Sequence, residues 1–71
     1  MFVFKTELKE QLLDGRKVIY VAKKIGITRQ QLDKIFKGET LTRKVTAYCI
    51  VKSCNPDAEI EDYFIRKINL F

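Results

Sequence analysis

The chain of 71 residues contains no histidine and no tryptophan, and it has one proline, three glycines and two cysteines. Structural zinc sites need several Cys or His ligands at short spacings, and proton transfer in active sites most often uses His. The two cysteines, Cys49 and Cys54, are five residues apart and have no histidine with which to share a metal. We therefore expect no metal site, no cofactor and no enzymatic activity, and we interpret both cysteines as small buried core residues.

Long apolar runs are also missing. No stretch approaches the roughly 18 consecutive apolar residues of a membrane span, and the apolar start 1–4 is followed at once by Lys5 and Glu7. At 46% apolar residues, the chain is nevertheless too hydrophobic to be a disordered tail. We expect one soluble domain over residues 1–71, with no membrane partner and no small-molecule substrate.

Charge is spread unevenly along the chain, whose net charge is +5. Twelve of the 14 Lys and Arg residues lie before residue 57, and four of the nine acidic residues lie after position 56. The basic field of the first 56 residues suits the phosphates of a nucleic acid. The acidic cluster is typical of the N-terminal end of a helix, and an acidic docking patch is the alternative. Its members are Asp57, Glu59, Glu61 and Asp62.

The spacing of apolar residues predicts five helices. The first covers residues 6–14 and is followed by Gly15. The second covers residues 17–25 and is followed by Gly26, at a position that suits a residue with positive φ. We expect these two helices to be short and to be separated by tight glycine turns.

The third predicted helix has the clearest start. Thr28 and Gln31 form the pattern of a capping box, in which each side chain accepts a hydrogen bond from the other residue's backbone N–H. Gly38 ends the helix. Its apolar stripe consists of Leu32, Ile35 and Phe36, and the opposite face is polar.

The fourth segment, residues 42–54, is β-branched enough to form a strand, but its length favours a helix in the middle of a small bundle, with Thr42 as N-cap. The fifth helix is opened by Pro56 and the acidic cluster, and it carries Ile60, Tyr63 and Phe64. The apolar end segments 2–4 and 68–71 either pair as a two-stranded ribbon or lie on a partner. The expected fold is all-α, with five helices and with or without short terminal strands.

The second helix, the glycine turn and the capped third helix together predict a helix-turn-helix unit over about residues 17–38. Ala22 lies four residues before Gly26, where a small side chain lets the two helices approach each other. The residues expected to pack this unit are Val21, Ala22, Gly26, Ile27, Leu32 and Ile35.

Residues 21–38 resemble the two central helices of the lambda-repressor and Cro family of DNA-binding domains, and the order of five helices extends the resemblance over residues 5–64. More narrowly, the chain is similar in size to the small phage regulators that oppose a lambda-type repressor, the modulator-of-repression antirepressors. The resemblance implies a small lambda-repressor-like domain that acts in the cytoplasm of a bacterial host cell.

In that family the start and outer face of the second helix of the unit enter the major groove of DNA. By position, the resemblance assigns this role to Thr28, Arg29, Gln30, Asp33 and Lys34, with Lys37 on the same face. Arg can pair with guanine and Gln with adenine. The candidates for phosphate contacts are Lys17, Lys23, Lys24, Lys37, Arg43 and Lys44.

Two residues depart from the DNA-binding pattern. Val18 stands where many family members carry a phosphate-binding Gln, and Asp33 lies in the middle of the reading face. We therefore expect a phage-type transcriptional regulator that acts as an antirepressor, binding the DNA-binding domain of a lambda-type repressor in a lytic/lysogenic switch. The alternative is a Cro-like repressor that binds double-stranded operator DNA directly, as a homodimer, through the recognition helix 28–37.

Overall fold

The computed structural model describes residues 1–67. A 3₁₀ turn, Thr6–Leu8, precedes the first α-helix. The helices are α1 (Lys9–Leu13), α2 (Val18–Ile25), α3 (Arg29–Phe36), α4 (Lys44–Cys54) and α5 (Ile60–Tyr63). Two short strands, β1 (Phe2–Phe4) and β2 (Phe64–Arg66), form an antiparallel sheet. The prediction of a mainly helical domain with five helices is confirmed.

The sheet joins the two ends of the described chain. Phe2 is opposite Arg66 and Phe4 is opposite Phe64, so the strand partner of the N-terminal segment is β2. The segment 68–71, which we expected to pair as a strand or to lie on a partner, is outside the described residues. The structure therefore shows a ribbon with a different partner strand from the predicted one, and Phe64, which we had assigned to the fifth helix, belongs to it.

The predicted fifth helix included Phe64, and this was wrong. The helix ends at Tyr63, and Phe64 has an extended backbone with φ −126° and ψ 149°. This conformation places its ring edge-to-face against Phe4, with 5.2 Å between ring centroids, and against Phe2, with 6.4 Å. Because all three rings are buried, the N-terminal phenylalanines are packed by the chain itself and not by a partner.

Thr42 does not cap α4 as expected. Its N–H donates to the carbonyl of Phe2 and its carbonyl accepts from the N–H of Phe2, both at 2.7 Å, so Thr42 extends the sheet by one bridge. The helix starts at Lys44, and its N-cap is Arg43, whose side chain makes no capping hydrogen bond. The pairing with Phe2 buries Thr42 and holds it two residues away from the first helical residue.

One face of α4 forms the centre of the core. Ala47, Ile50 and Val51 are fully buried there. The opposite face is exposed, however, at Val45 and Tyr48. The expectation that α4 lies in the middle of the bundle therefore holds for one face of the helix only.

The two cysteines lie on different sides of α4. Cys54 is buried as predicted, whereas Cys49 is exposed, and the prediction that both are core residues was wrong for Cys49. Burial raises the pKa of the Cys54 thiol, and a hydrogen bond with Ser53 and the charges of Arg16 and Lys24 oppose that rise only partly. Cys54 therefore stays protonated and unreactive near neutral pH.

The acidic cluster lies where a helix starts, as predicted, although α5 begins four residues after Pro56. The N–H of Glu59 donates to Oδ2 of Asp62 at 2.9 Å, and Glu61 is in the first turn of the helix. These carboxylates interact favourably with the positive end of the helix dipole. Within residues 1–67, no helix is long and apolar enough to cross a membrane.

Candidate functional site

The turn between α2 and α3 sets the geometry of the candidate site. Gly26 adopts a positive φ of 83° and ends α2, and the N–H groups of Gly26 and Ile27 both donate to the carbonyl of Ala22, at 2.9 and 3.0 Å. A residue with a side chain would be strained at this φ. Of the predicted packing residues, Val21, Ala22, Leu32 and Ile35 are buried and Ile27 is half-buried against the core, whereas Gly26 is exposed.

The start of α3 is held by the predicted capping box. The N–H of Gln31 donates to Oγ1 of Thr28 at 3.0 Å, and the N–H of Thr28 donates to Oε1 of Gln31 at 2.9 Å. Each bond satisfies a backbone donor that has no partner within the helix. The cap therefore fixes where α3 begins, and it leaves the side chains of Arg29 and Gln30 exposed.

The structure brings the six predicted recognition residues together on the outer side of α3. Five of them line one shallow depression, together with Gln31 and Glu39, and the sixth, Arg29, contacts Asp33. All are exposed except Asp33, which is half-buried. We call this surface the α3 face and define it as Thr28, Arg29, Gln30, Asp33, Lys34 and Lys37.

The α3 face carries charges of both signs. Nε of Arg29 lies 3.6 Å from Oδ2 of Asp33, and this is the one ion pair found within residues 1–67. The side chains are 66% and 33% exposed, so solvent screens the pair. Lys34 and Lys37 add two positive charges, and Glu39, which the sequence reasoning missed, adds a second carboxylate to the same depression.

The six candidate phosphate contacts are not all on one surface. Lys17 and Arg29 line the same groove, between α1 and the start of α2. Arg43 and Lys34 line another groove, between α3 and the segment that leads into α4. Lys37 belongs to the α3 face itself, so Lys17, Lys37 and Arg43 can act together with α3.

The remaining three candidates lie apart from this arrangement. Lys23 and Lys24 form a separate depression on α2 with Tyr20, which is 71% exposed. Lys44 is the exposed first residue of α4 and lines none of these depressions. Sequence reasoning missed two basic side chains that share the groove of Lys17, namely Lys9 and Arg16. Arg16 also donates to the carbonyl of Leu13, at 3.1 Å.

Val18 has a packing role. Its side chain is half-buried and lies against the hydrophobic core at the first position of α2. A polar side chain that could bind phosphate is therefore missing at this position, as the sequence indicated. Its neighbour Ile19 is exposed beside Arg29 in the groove between α1 and α2, which gives this edge of the α3 face an apolar border.

No metal centre accompanies these residues: in the described part of the chain, no group of three or more His, Cys, Asp or Glu side chains could hold a metal ion. Comparison of the chain with protein families, with curated proteins and with solved structures finds no match. The function must therefore be argued from the geometry of the α3 face.

Proposed function

We propose that this chain is a phage-type transcriptional regulator in which α2 and α3 act as a helix-turn-helix unit, and that it functions as an antirepressor. In this proposal the α3 face binds the DNA-binding domain of a lambda-type repressor in a lytic/lysogenic switch. The observation that carries the proposal is the Arg29–Asp33 ion pair within the exposed α3 face.

A carboxylate at this position favours a protein ligand over DNA. If α3 entered the major groove, Asp33 would lie between two rows of phosphates, and the repulsion would oppose binding. A protein surface with basic side chains can instead pair with Asp33 and Glu39, and the DNA-binding domain of a repressor presents such a surface.

Exposed apolar side chains at the border of the α3 face support the same ligand. Ile19 lies beside Arg29, and Leu41 lies beside Lys34 in the groove between α3 and the segment before α4. Aliphatic side chains contribute little to the binding of phosphates. They do contribute to protein interfaces, where apolar groups form the buried centre and charged groups form the rim.

The sharpest test is a titration of the full chain with the purified DNA-binding domain of the lambda-type repressor encoded by the same phage, without DNA. We expect a complex, and Asp33→Asn should weaken it by about tenfold because a charge-assisted contact is lost. The matched control is Glu7→Gln, which neutralises an exposed carboxylate on the turn before α1. Absence of a complex with the unmodified chain would reject the antirepressor function.

Direct binding of operator DNA is the second candidate, favoured by the basic side chains around the α3 face, Lys17, Lys34, Lys37 and Arg43. About five neutralised phosphates would give a log–log salt slope of roughly −4 to −5. In a mobility-shift assay with operator DNA, Asp33→Asn would then strengthen binding instead of weakening it. The same variant therefore changes affinity in opposite directions for the two candidate functions.

A further inference from the structure

The connection between α3 and α4 has an exposed part that borders the α3 face. Glu39, Thr40 and Leu41 are all exposed there, so burial in the core does not fix their positions. Glu39 lines the same depression as Asp33, and Leu41 lines the groove that it shares with Lys34. We call these three exposed residues the α3–α4 segment. Its carboxylate and its aliphatic side chain both lie where a protein bound to the α3 face would contact them.

The N-terminal part of the chain holds the end of α3, where the α3–α4 segment begins. The ring of Phe4 in β1 packs edge-to-face against Phe36, with 4.9 Å between ring centroids. Gly38 lies against the same part of the chain: a methyl group on its Cα would be 3.3 Å from Cγ2 of Thr6 and 3.8 Å from Cγ1 of Val3. The last turn of α3 and the glycine that follows it are therefore packed directly on β1 and the residues after it.

The same strand holds the other end of the α3–α4 segment. Thr42 and Phe2 exchange two backbone hydrogen bonds of 2.7 Å, and both residues are buried. β1 is itself paired with β2, and beyond that pairing the N–H of Lys67 donates to the carbonyl of Met1 at 2.8 Å. Both ends of an exposed connection are thus attached to one strand that is more than 30 residues away in the sequence.

We propose that β1 positions part of the partner-binding surface, because it holds the α3–α4 segment at both ends. Phe2 and Thr42 are the positioning residues, and Glu39 and Leu41 are the side chains that they place. The inference rests on the proposed function, in which the partner is the DNA-binding domain of a lambda-type repressor. A segment that is ordered in advance loses less conformational entropy on binding. The affinity for the partner should therefore depend on β1, although no residue of β1 lines the depression or the groove.

Two substitutions at position 42 separate the backbone pairing from the side chain. Thr42→Pro removes the N–H that donates to Phe2, whereas Thr42→Val keeps it. In a titration of the full chain with the repressor domain, Thr42→Pro should raise the Kd by at least about tenfold and Thr42→Val by less than about twofold. Circular dichroism and urea unfolding verify that both variants are folded. A folded Thr42→Pro chain that binds as tightly as Thr42→Val would overturn the proposal.

The side chain of Leu41 reports whether its position matters. Combined with Thr42→Val, Leu41→Ala should raise the Kd about fivefold, because the pairing with Phe2 is intact and the side chain is in place. Combined with Thr42→Pro, Leu41→Ala should have little further effect, a coupling that a general loss of stability would not produce. The matched control is Val45→Ala, at an exposed position of α4 outside the groove. Equal factors for Leu41→Ala in the two backgrounds would overturn the positioning role.

A longer α3–α4 segment keeps the proposal testable if Thr42→Pro does not fold. Insertion of two glycines between Thr40 and Leu41 leaves both ends attached to β1 but removes the fixed span between them. Stability should change little, because lengthening an exposed loop has a small entropic cost. The Kd for the repressor domain should nevertheless rise by at least about tenfold, because Glu39 and Leu41 are no longer held at a set distance. An unchanged Kd would overturn the proposal.

The same titrations distinguish failure of this inference from failure of the proposed function. Absence of a complex with the unmodified chain would reject the antirepressor function, and the positioning role with it. A complex that forms with the unmodified chain and is unchanged in the folded Thr42→Pro variant would reject the positioning role alone. The expected result is a complex with the unmodified chain and with Thr42→Val, and a much weaker one with Thr42→Pro.

Discussion

The first turns of α3 and α4 are held in place by different means. At α3, Thr28 and Gln31 exchange two hydrogen bonds within four residues of sequence. At α4, no side chain caps the helix, and the preceding Thr42 is instead paired through its backbone with Phe2, 40 residues earlier in the chain. The start of α3 is thus set by neighbouring residues, whereas the start of α4 depends on the N-terminal strand.

The outer faces of the two helices differ as well. The α3 face is polar and carries charges of both signs, whereas α4 exposes the large apolar side chains of Val45 and Tyr48. A polar outer face is stable in contact with water and can also bind a charged ligand. An exposed apolar surface is different, because its removal from water is favourable. The outer surfaces of the two helices therefore differ in kind, since that of α3 is charged and that of α4 is apolar at Val45 and Tyr48.

The largest expected effect comes from removing the support that the N-terminal strand provides. Phe4 is 2% exposed and packs against Phe36 at the end of α3 and against Phe64. Phe4→Ala should cost about 3–5 kcal/mol, which is comparable with the whole stability of so small a domain. Urea unfolding followed by circular dichroism measures the loss.

The matched control for Phe4→Ala is Ile65→Ala, which removes an exposed side chain from the partner strand. It should change the free energy of unfolding by less than about 1 kcal/mol. If the two variants lost similar stability, the packing of Phe4 against Phe36 and Phe64 would not be a main source of the stability of the domain.

A second prediction separates the two roles considered for Thr42. Its hydroxyl is buried and has no hydrogen-bond partner among residues 1–67. Thr42→Val keeps the shape of the side chain and removes the unpaired hydroxyl. The free energy of unfolding should therefore rise by about 1 kcal/mol, seen as a higher urea midpoint at an unchanged slope. A Thr that capped α4 would show a loss of similar size. The exposed Thr40→Val should change little.

A third prediction concerns the local cap of α3. Thr28→Ala removes the acceptor for the N–H of Gln31 and should destabilise the domain by about 1 kcal/mol. Thermal unfolding of the full chain measures the loss, with the neighbouring Gln30→Ala as control, since Gln30 makes no capping bond. An unchanged melting temperature for Thr28→Ala would show that packing alone holds the start of α3.

The smallest effect is expected for the Arg29–Asp33 pair. The two side chains are separated by four residues on an exposed helix face, so a double-mutant cycle with Arg29→Ala and Asp33→Ala should give a coupling of less than about 0.5 kcal/mol. A coupling above about 1 kcal/mol would mean that the pair stabilises α3 and that its residues are less available to a ligand.

Much of the fold could be predicted from local patterns, since the second and third helices have the expected ends. Gly26 and Gly38 both have positive φ where the sequence predicted a helix end. The candidate site was predictable for the same reason: residues on one helix with spacing three and four must share a face, whatever surrounds them. The family and the ligand of that face stay proposals.

The errors concern positions where distant residues decide the outcome. Thr42 fits the N-cap pattern, but the pairing with Phe2 prevents that role, and Phe64 fits a helix pattern but completes the sheet with Phe4. The exposure of Val45 and Cys49 could not be read from composition either. A run of apolar residues shows that a helix is buried on some side, and the packing of the other elements decides which side remains open.

The sequence by itself therefore determined the helical character of the chain, the cap and turn around α3, and the surface that its polar residues share, because these depend on interactions within a few residues. The tertiary structure alone decided where α4 begins, that Phe64 leaves the helix for a strand, and that α4 keeps an apolar outer stripe. Those outcomes depend on contacts between residues that are tens of positions apart, and on how much surface a small core can cover.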